Sequence, residues 1–138
     1  MTRITRLEFR AESGPSSRME WNHRGSGHVQ VTVDGPDVFF QEAFTLDNGL
    51  PCQDRKCWHF GEEGIIFRHF REQRFQDILL LVPDTSGIHL VAQAPYACPP
   101  DRYDGSLSLH DGTLELRLRI TGARKDEDIR YRYRADPG

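Results

Sequence analysis

Apolar and polar residues alternate with a period of two along most of this chain, in short segments divided by residues that favour tight turns. Helical periodicity is nearly absent. The alternation predicts strands over Thr5–Arg10, Arg18–His23, His28–Val33, Val38–Leu46, Arg55–Phe60, Ile65–Arg71, Asp77–Val82, Ile88–Ala94, Ser106–His110, Leu114–Thr121 and Asp128–Arg134. Between them stand Arg24-Gly25-Ser26-Gly27, Asp34-Gly35-Pro36, Asp47-Asn48-Gly49, Gly61-Glu62-Glu63-Gly64, Asp84-Thr85-Ser86-Gly87 and Asp111-Gly112. The least regular stretch is Ala94–Gly105, with Pro95, Pro99 and Pro100. A sheet of many short strands must hide its edges, and closure removes edges that a sandwich only shortens. The expected fold is therefore all-β, an antiparallel up-and-down barrel of about 8–10 strands. Residues 1–138 are expected to form one domain.

Pairing must bring like characters to one face, which tests register by arithmetic. With the last turn at Arg124-Lys125, Leu116 meets Tyr133, Leu118 meets Tyr131 and Ile120 meets Ile129 on an apolar face. The other face then sets Arg117 against Arg132 and Arg119 against Arg130, like charges that need counterions from neighbouring strands, solvent or a bound anion. Closing the Arg55–Phe60 and Ile65–Arg71 segments through Gly61–Gly64 puts Trp58, Phe60, Ile65 and Phe67 on one face, shared with Lys56 and His69. With Arg71 near Gln76, His69 falls beside Ile78. Upstream, Glu42 interrupts the apolar stripe of Val38, Phe40, Phe44 and Leu46, and a carboxylate there needs a partner.

Composition narrows the classes. With 138 residues, 37% hydrophobic, 28% charged and a net charge of −3, the chain belongs to the globular range and can bury a core without staples. Eighteen Lys and Arg against 21 Asp and Glu argue against a duplex-coating footprint, so nucleic acid is demoted as a partner. Ile78–Val82, the most apolar run, is far short of the ~20 residues of a spanning helix, and the N-terminus lacks an apolar signal region. Cys52, Cys57 and Cys98 match no metal or redox spacing and read as free thiols, which together with the absent signal predicts a cytoplasmic protein. No nucleophile elbow or phosphate loop is present, and the six histidines are dispersed without metal-ligand spacing, so no metal is expected. His59 and His69 fall on opposite faces.

Glu42 and His69 are the best site candidates. Surrounded by Trp21, Trp58, Phe40, Phe67, Tyr131 and Tyr133 in a lumen, they would form an apolar cavity with a few convergent polar groups. The competing reading makes each a hydrogen-bonding tie between strands. The cofactor is unknown; a haem would need one axial imidazole, with His69 or His89 as candidate.

Gly122-Ala123-Arg124-Lys125-Asp126, followed by Ile129 and Tyr133-Arg134, resembles the C-terminal G-P-R-K-D...Y-x-R signature of a family of small bacterial proteins of unknown function with a lipocalin-like, or calycin-like, barrel. Cys98-Pro99-Pro100-Asp101-Arg102-Tyr103 is similar to that family's H-x-C-x-x-D-x-Y segment. Weaker echoes are Phe40-Gln41-Glu42, Arg55 with Trp58, and Phe67 with Arg74-Phe75. Tyr96, Ala123 and Phe40 depart from the family's His, Pro and Tyr. The resemblance implies a fold rather than a reaction. Asp101, Tyr103, Arg124, Lys125 and Asp126 then either brace a barrel end or form an anion-recognising rim, with Arg124 and Lys125 at the cavity mouth.

The expected function is binding of a small, partly apolar, anionic molecule by Glu42, Trp58, Phe67, His69, Tyr103, Arg124, Lys125, Tyr131 and Tyr133, with catalytic residues unknown. One alternative is an oligomerising module, a homodimer for example, with a filled lumen and Leu79, Leu81 and Val91 turned outward. The other is a barrel enzyme of isomerase, cyclase or lyase type using Glu42 and His69 as acid and base.

Overall fold

A computed structural model describes residues 4–86 and 89–135. Eleven strands follow in order: β1 (Ile4–Ser13), β2 (His23–Asp34), β3 (Asp37–Leu46), β4 (Pro51–Phe60), β5 (Ile65–Arg71), β6 (Arg74–Pro83), β7 (His89–Ala92), β8 (Tyr96–Cys98), β9 (Asp101–His110), β10 (Thr113–Thr121) and β11 (Asp126–Ala135). Every pairing is antiparallel, and β9 pairs with β10 while β11 pairs with β1. The wall is thereby a closed barrel of ten strands, with β8 added beside β7 along the free part of β9. No helix long and apolar enough to cross a membrane occurs among the described residues.

The inward positions are those the alternation selects. Leu7 and Phe9, Phe40 and Phe44, Trp58, Phe67, Leu116, Leu118, Tyr131 and Tyr133 are all buried in one core. Aromatic rings tie its layers: Phe40 meets Tyr133 at 4.9 Å and Trp58 at 5.7 Å, and Trp58 meets Phe67 at 5.1 Å between ring centres.

Several expectations need correction. Arg18–His23 is not a strand; Glu20 has a φ of 49°, a left-handed kink that no ladder tolerates, and β2 begins at His23. Arg24-Gly25-Ser26-Gly27 is not a turn but the start of β2. Its glycines answer a close approach, since a Cβ on Gly27 would stand 2.0 Å from the Ala43 carbonyl oxygen on β3. The predicted Ile88–Ala94 strand begins at a residue outside the described ones; of its described part only His89–Ala92 is strand, β7, and Gln93 and Ala94 bend away from it. Tyr96–Cys98 pairs where no strand was expected.

The β4–β5 register is the one expected, with Lys56 opposite His69 and Trp58 opposite Phe67. Two other registers lie two residues away. In the C-terminal hairpin Leu114, Leu116 and Leu118 face Tyr133, Tyr131 and Ile129, because a four-residue turn closes with Gly122 N–H donating to the Lys125 carbonyl. A shift of two keeps every side chain on its face. β5 and β6 are joined by Glu72-Gln73, whose φ values of 52° and 67° make a two-residue left-handed turn without glycine, so His69 faces Gln76. A bulge at Phe67/Arg68 follows, and both Ile78 and Leu79 are buried with Leu81. Leu79 and Leu81 thus face the core rather than a partner, and Val91 remains exposed.

On the outer wall Arg24, Arg10, Arg130 and Arg117 stand side by side across β2, β1, β11 and β10. Arg117 is held bidentately by Asp128, at 3.0 and 2.8 Å, and Arg130 reaches the same carboxylate at 3.5 Å.

Candidate functional site

Strand alternation delivers two kinds of inward residue, and the barrel separates them along its axis. Toward the end formed by residues 14–22, 47–50, 72–73 and 122–125, β3, β4, β5 and β11 place Glu42, Asp54, Lys56, His69, Tyr131 and Tyr133 inside. Lys56 Nζ donates to Glu42 Oε1 at 2.5 Å and to Asp54 Oδ2 at 3.0 Å, and lies 3.5 Å above the Tyr131 ring centre. Tyr133 donates its hydroxyl to Glu42 Oε2 at 2.5 Å. Asp54 Oδ1 lies 2.6 Å from His69 Nε2, and Arg71 Nε donates to His69 Nδ1 at 3.2 Å. Arg71 Nε can only donate, so Nδ1 accepts from it and Nε2 faces Asp54. Lys56 and Arg71 balance Glu42 and Asp54 in one continuous chain.

The ionisation of this chain is self-consistent. Burial acts to raise the Asp54 carboxyl, but the His69 hydrogen bond and the Lys56 charge outweigh it and hold the group at about 2. Burial penalises the Lys56 ammonium, yet Tyr131, Glu42 and Asp54 around it push its value above that of an ordinary lysine. Burial pushes the Tyr131 and Tyr133 hydroxyls up, so both stay protonated.

This end of the barrel is strapped shut. The connection between β1 and β2 folds back on β11: Gly14 N–H donates to the Asp126 carbonyl and Arg18 N–H to the Arg124 carbonyl. Ser13 and Ser17 hydroxyls donate to the buried Glu127 at 2.6 and 2.5 Å. Trp21, expected among the lumen aromatics, stands 37% exposed on this strap with its ring 6.2 Å from Phe9. Lys125 pairs with Asp101 at 3.0 Å, Arg71 lies 5.1 Å over the Tyr103 ring, and Arg124 is exposed.

The opposite end is different in character. A cavity of about 840 Å³ opens there, walled by Val29, Val38, Phe40, Trp58, Leu107 and Leu114 and by no charged side chain among the described residues. Val33, Phe60 and Leu109 form its rim, 67%, 53% and 63% exposed. Two polar atoms of its lining are buried without a hydrogen-bond partner among the described residues, Trp58 Nε1 and Thr5 Oγ1.

Of the expected site residues, Trp58 alone lines this cavity. Glu42, Phe67, His69, Tyr131 and Tyr133 are brought together beneath it, with Tyr103 in the same core. Arg124 and Lys125 lie beyond the far end of β10 from Leu114, which is seven residues or roughly 23 Å from Thr121 along the strand. His89 is exposed on β7. Glu42 and His69 belong to one network, but Lys56 and Asp54 stand between them and both Glu42 oxygens are engaged. Asp54 went unrecognised because β4 begins four residues before the predicted start; extending the alternation back from Lys56 would have found it. Thr5, Leu90, Leu107 and Leu114 come from four separate strands, and no local signal in the sequence groups them.

Comparison with known proteins yields a family and a fold. The sequence model of DUF6314, described as a family of unknown function, matches residues 9–135. Among curated proteins there is no match. Among solved structures, a de novo designed fluorescence-activating β-barrel is similar with a TM-score of 0.50 and 12% identity, over 95% of this chain and 91% of that one.

Proposed function

The chain belongs to the DUF6314 family of unknown function, and from that premise we propose that the barrel is a carrier for a small, largely apolar molecule held in the cavity at its open end. The observation that carries this reading is Trp58. Its residue is only 3% exposed, it lines the cavity, and its indole N–H has no acceptor among the described residues. A buried donor left unpaired costs about 1–3 kcal/mol, which an acceptor on a bound molecule offsets. Apolar walls with one or two fixed polar atoms are the ordinary make-up of a ligand site, and the volume lies within the usual range. The ligand's buried part is uncharged, because nothing in the lining would pair a charge. An anionic head group met by Arg124 and Lys125 has no place in this reading, since they stand at the strapped end.

The polar network supports the cavity as its floor. It positions Tyr133, which packs on Phe40, which packs on Trp58. Titration with N-phenyl-1-naphthylamine, a neutral fluorophore that brightens in apolar surroundings, tests the reading. Saturable binding is expected, with loss in Leu107→Trp, which fills the cavity. Absence of saturable enhancement, or enhancement untouched by Leu107→Trp in a variant that melts like the parent, overturns it.

A further inference from the structure

Three of the four connections at the open end join cavity-lining residues on both sides, the fourth leads to one, and all of them carry acid. Residues 34–36 run between Val33 and Val38 of the lining, 61–64 between Phe60 and Ile65, and 110–112 between Leu109 and Leu114. The fourth, from Asp84, leads to Leu90. Together these connections hold Asp34, Glu62, Glu63, Asp84 and Asp111 and neither Lys nor Arg. Asp84 accepts from Ser86, and Asp111 lies 3.2 Å from His110. Asp34, Glu62 and Glu63 are exposed and have no ion-pair partner among the described residues. The nearby cations Arg6, Arg68 and Arg134 face the outer wall, Arg68 held by Asp77 at 2.7 Å and Arg134 lying 3.5 Å from Glu8.

An acidic ring alone would be a solvated surface. Here it surrounds an apolar rim and a cavity containing an orphan indole donor, so a molecule seated in that cavity carries its exposed end into the field of the carboxylates. We propose that the site selects an amphiphile with a cationic head group, an alkylammonium in chemical class, whose tail enters the cavity while the ammonium stays at the mouth. The inference rests on the cavity-binding reading and adds the sign of the ligand's charge. Carboxylates opposed to a head group of the same sign would reject fatty acids of equal chain length.

The experiment is displacement of N-phenyl-1-naphthylamine by three amphiphiles of one chain length kept below micelle formation: dodecyltrimethylammonium, dodecanol and dodecanoate. Dodecyltrimethylammonium is expected to displace the probe at about tenfold lower concentration than dodecanoate at low ionic strength, narrowing to about twofold when salt shortens the screening length. In Asp34→Asn/Glu62→Gln/Glu63→Gln the preference is expected to collapse while the neutral probe binds as before. Equal displacement by all three, or a preference for dodecanoate, overturns the charge selection and leaves the cavity reading standing. Failure of the probe itself to bind removes the cavity reading first.

Discussion

Lys56 brings a full charge to a site that is 1% exposed, and what makes it tolerable is that every direction around it answers. Glu42 and Asp54 supply oxygens at 2.5 and 3.0 Å, and the Tyr131 ring presents its electron-rich face. Removing one member leaves the others stranded. Lys56→Met is expected to lower unfolding free energy by about 3–5 kcal/mol, while Glu42→Gln/Lys56→Met recovers much of it, both read by urea denaturation. Acid attacks the same chain. The folded Asp54 value lies below the unfolded one, so its contribution is complete above about pH 4 and is lost as pH falls toward its folded value of about 2. The urea midpoint of the parent should drop through that window more steeply than that of Asp54→Asn; parallel curves would refute the assignment. Glu42 and His69 are legible in sequence as polar intrusions on apolar faces. Their joint meaning is not, because Asp54 precedes the predicted strand and only the ladder brings it beside His69.

At the scale of strands, legibility follows how strongly each turn dictates its own geometry. The Gly61–Gly64 connection yields the right β4–β5 register from sequence. Glu72-Gln73 does not, since neither residue favours the left-handed region both occupy and nothing in the sequence marks the turn. Replacing the pair by Asn-Gly, the residues such a turn prefers, is expected to raise stability by about 1 kcal/mol, measured as a higher urea midpoint with unchanged slope. Gly25 and Gly27 mislead in the opposite sense: glycine there permits strand contact rather than reversal. Gly27→Ala must displace the Ala43 carbonyl and is expected to cost about 2–3 kcal/mol; a neutral effect would show that β2 and β3 do not approach as described.

For the whole molecule, barrel closure was legible from alternation and the number of short strands, because edges must go somewhere. The cavity was not, since its lining is assembled from strands distant in sequence, and inward alternation looks the same whether a lumen is filled or open. Trp58 marks the boundary between the two halves, lining the cavity above and packing on Phe67 below. Trp58→Phe removes the indole donor and little volume, so it should weaken acceptor-bearing ligands by about tenfold while leaving a hydrocarbon of similar size unaffected. The segregation of the buried ionisable groups to the strapped storey has a calorimetric consequence. A ligand that enters a lining without titratable side chains exchanges no protons there, so near pH 8 its heat of association should be the same in phosphate and in Tris, whose ionisation enthalpies differ widely. A buffer-dependent heat would mean that occupancy is felt by Lys56 and its neighbours through the aromatic layer between them.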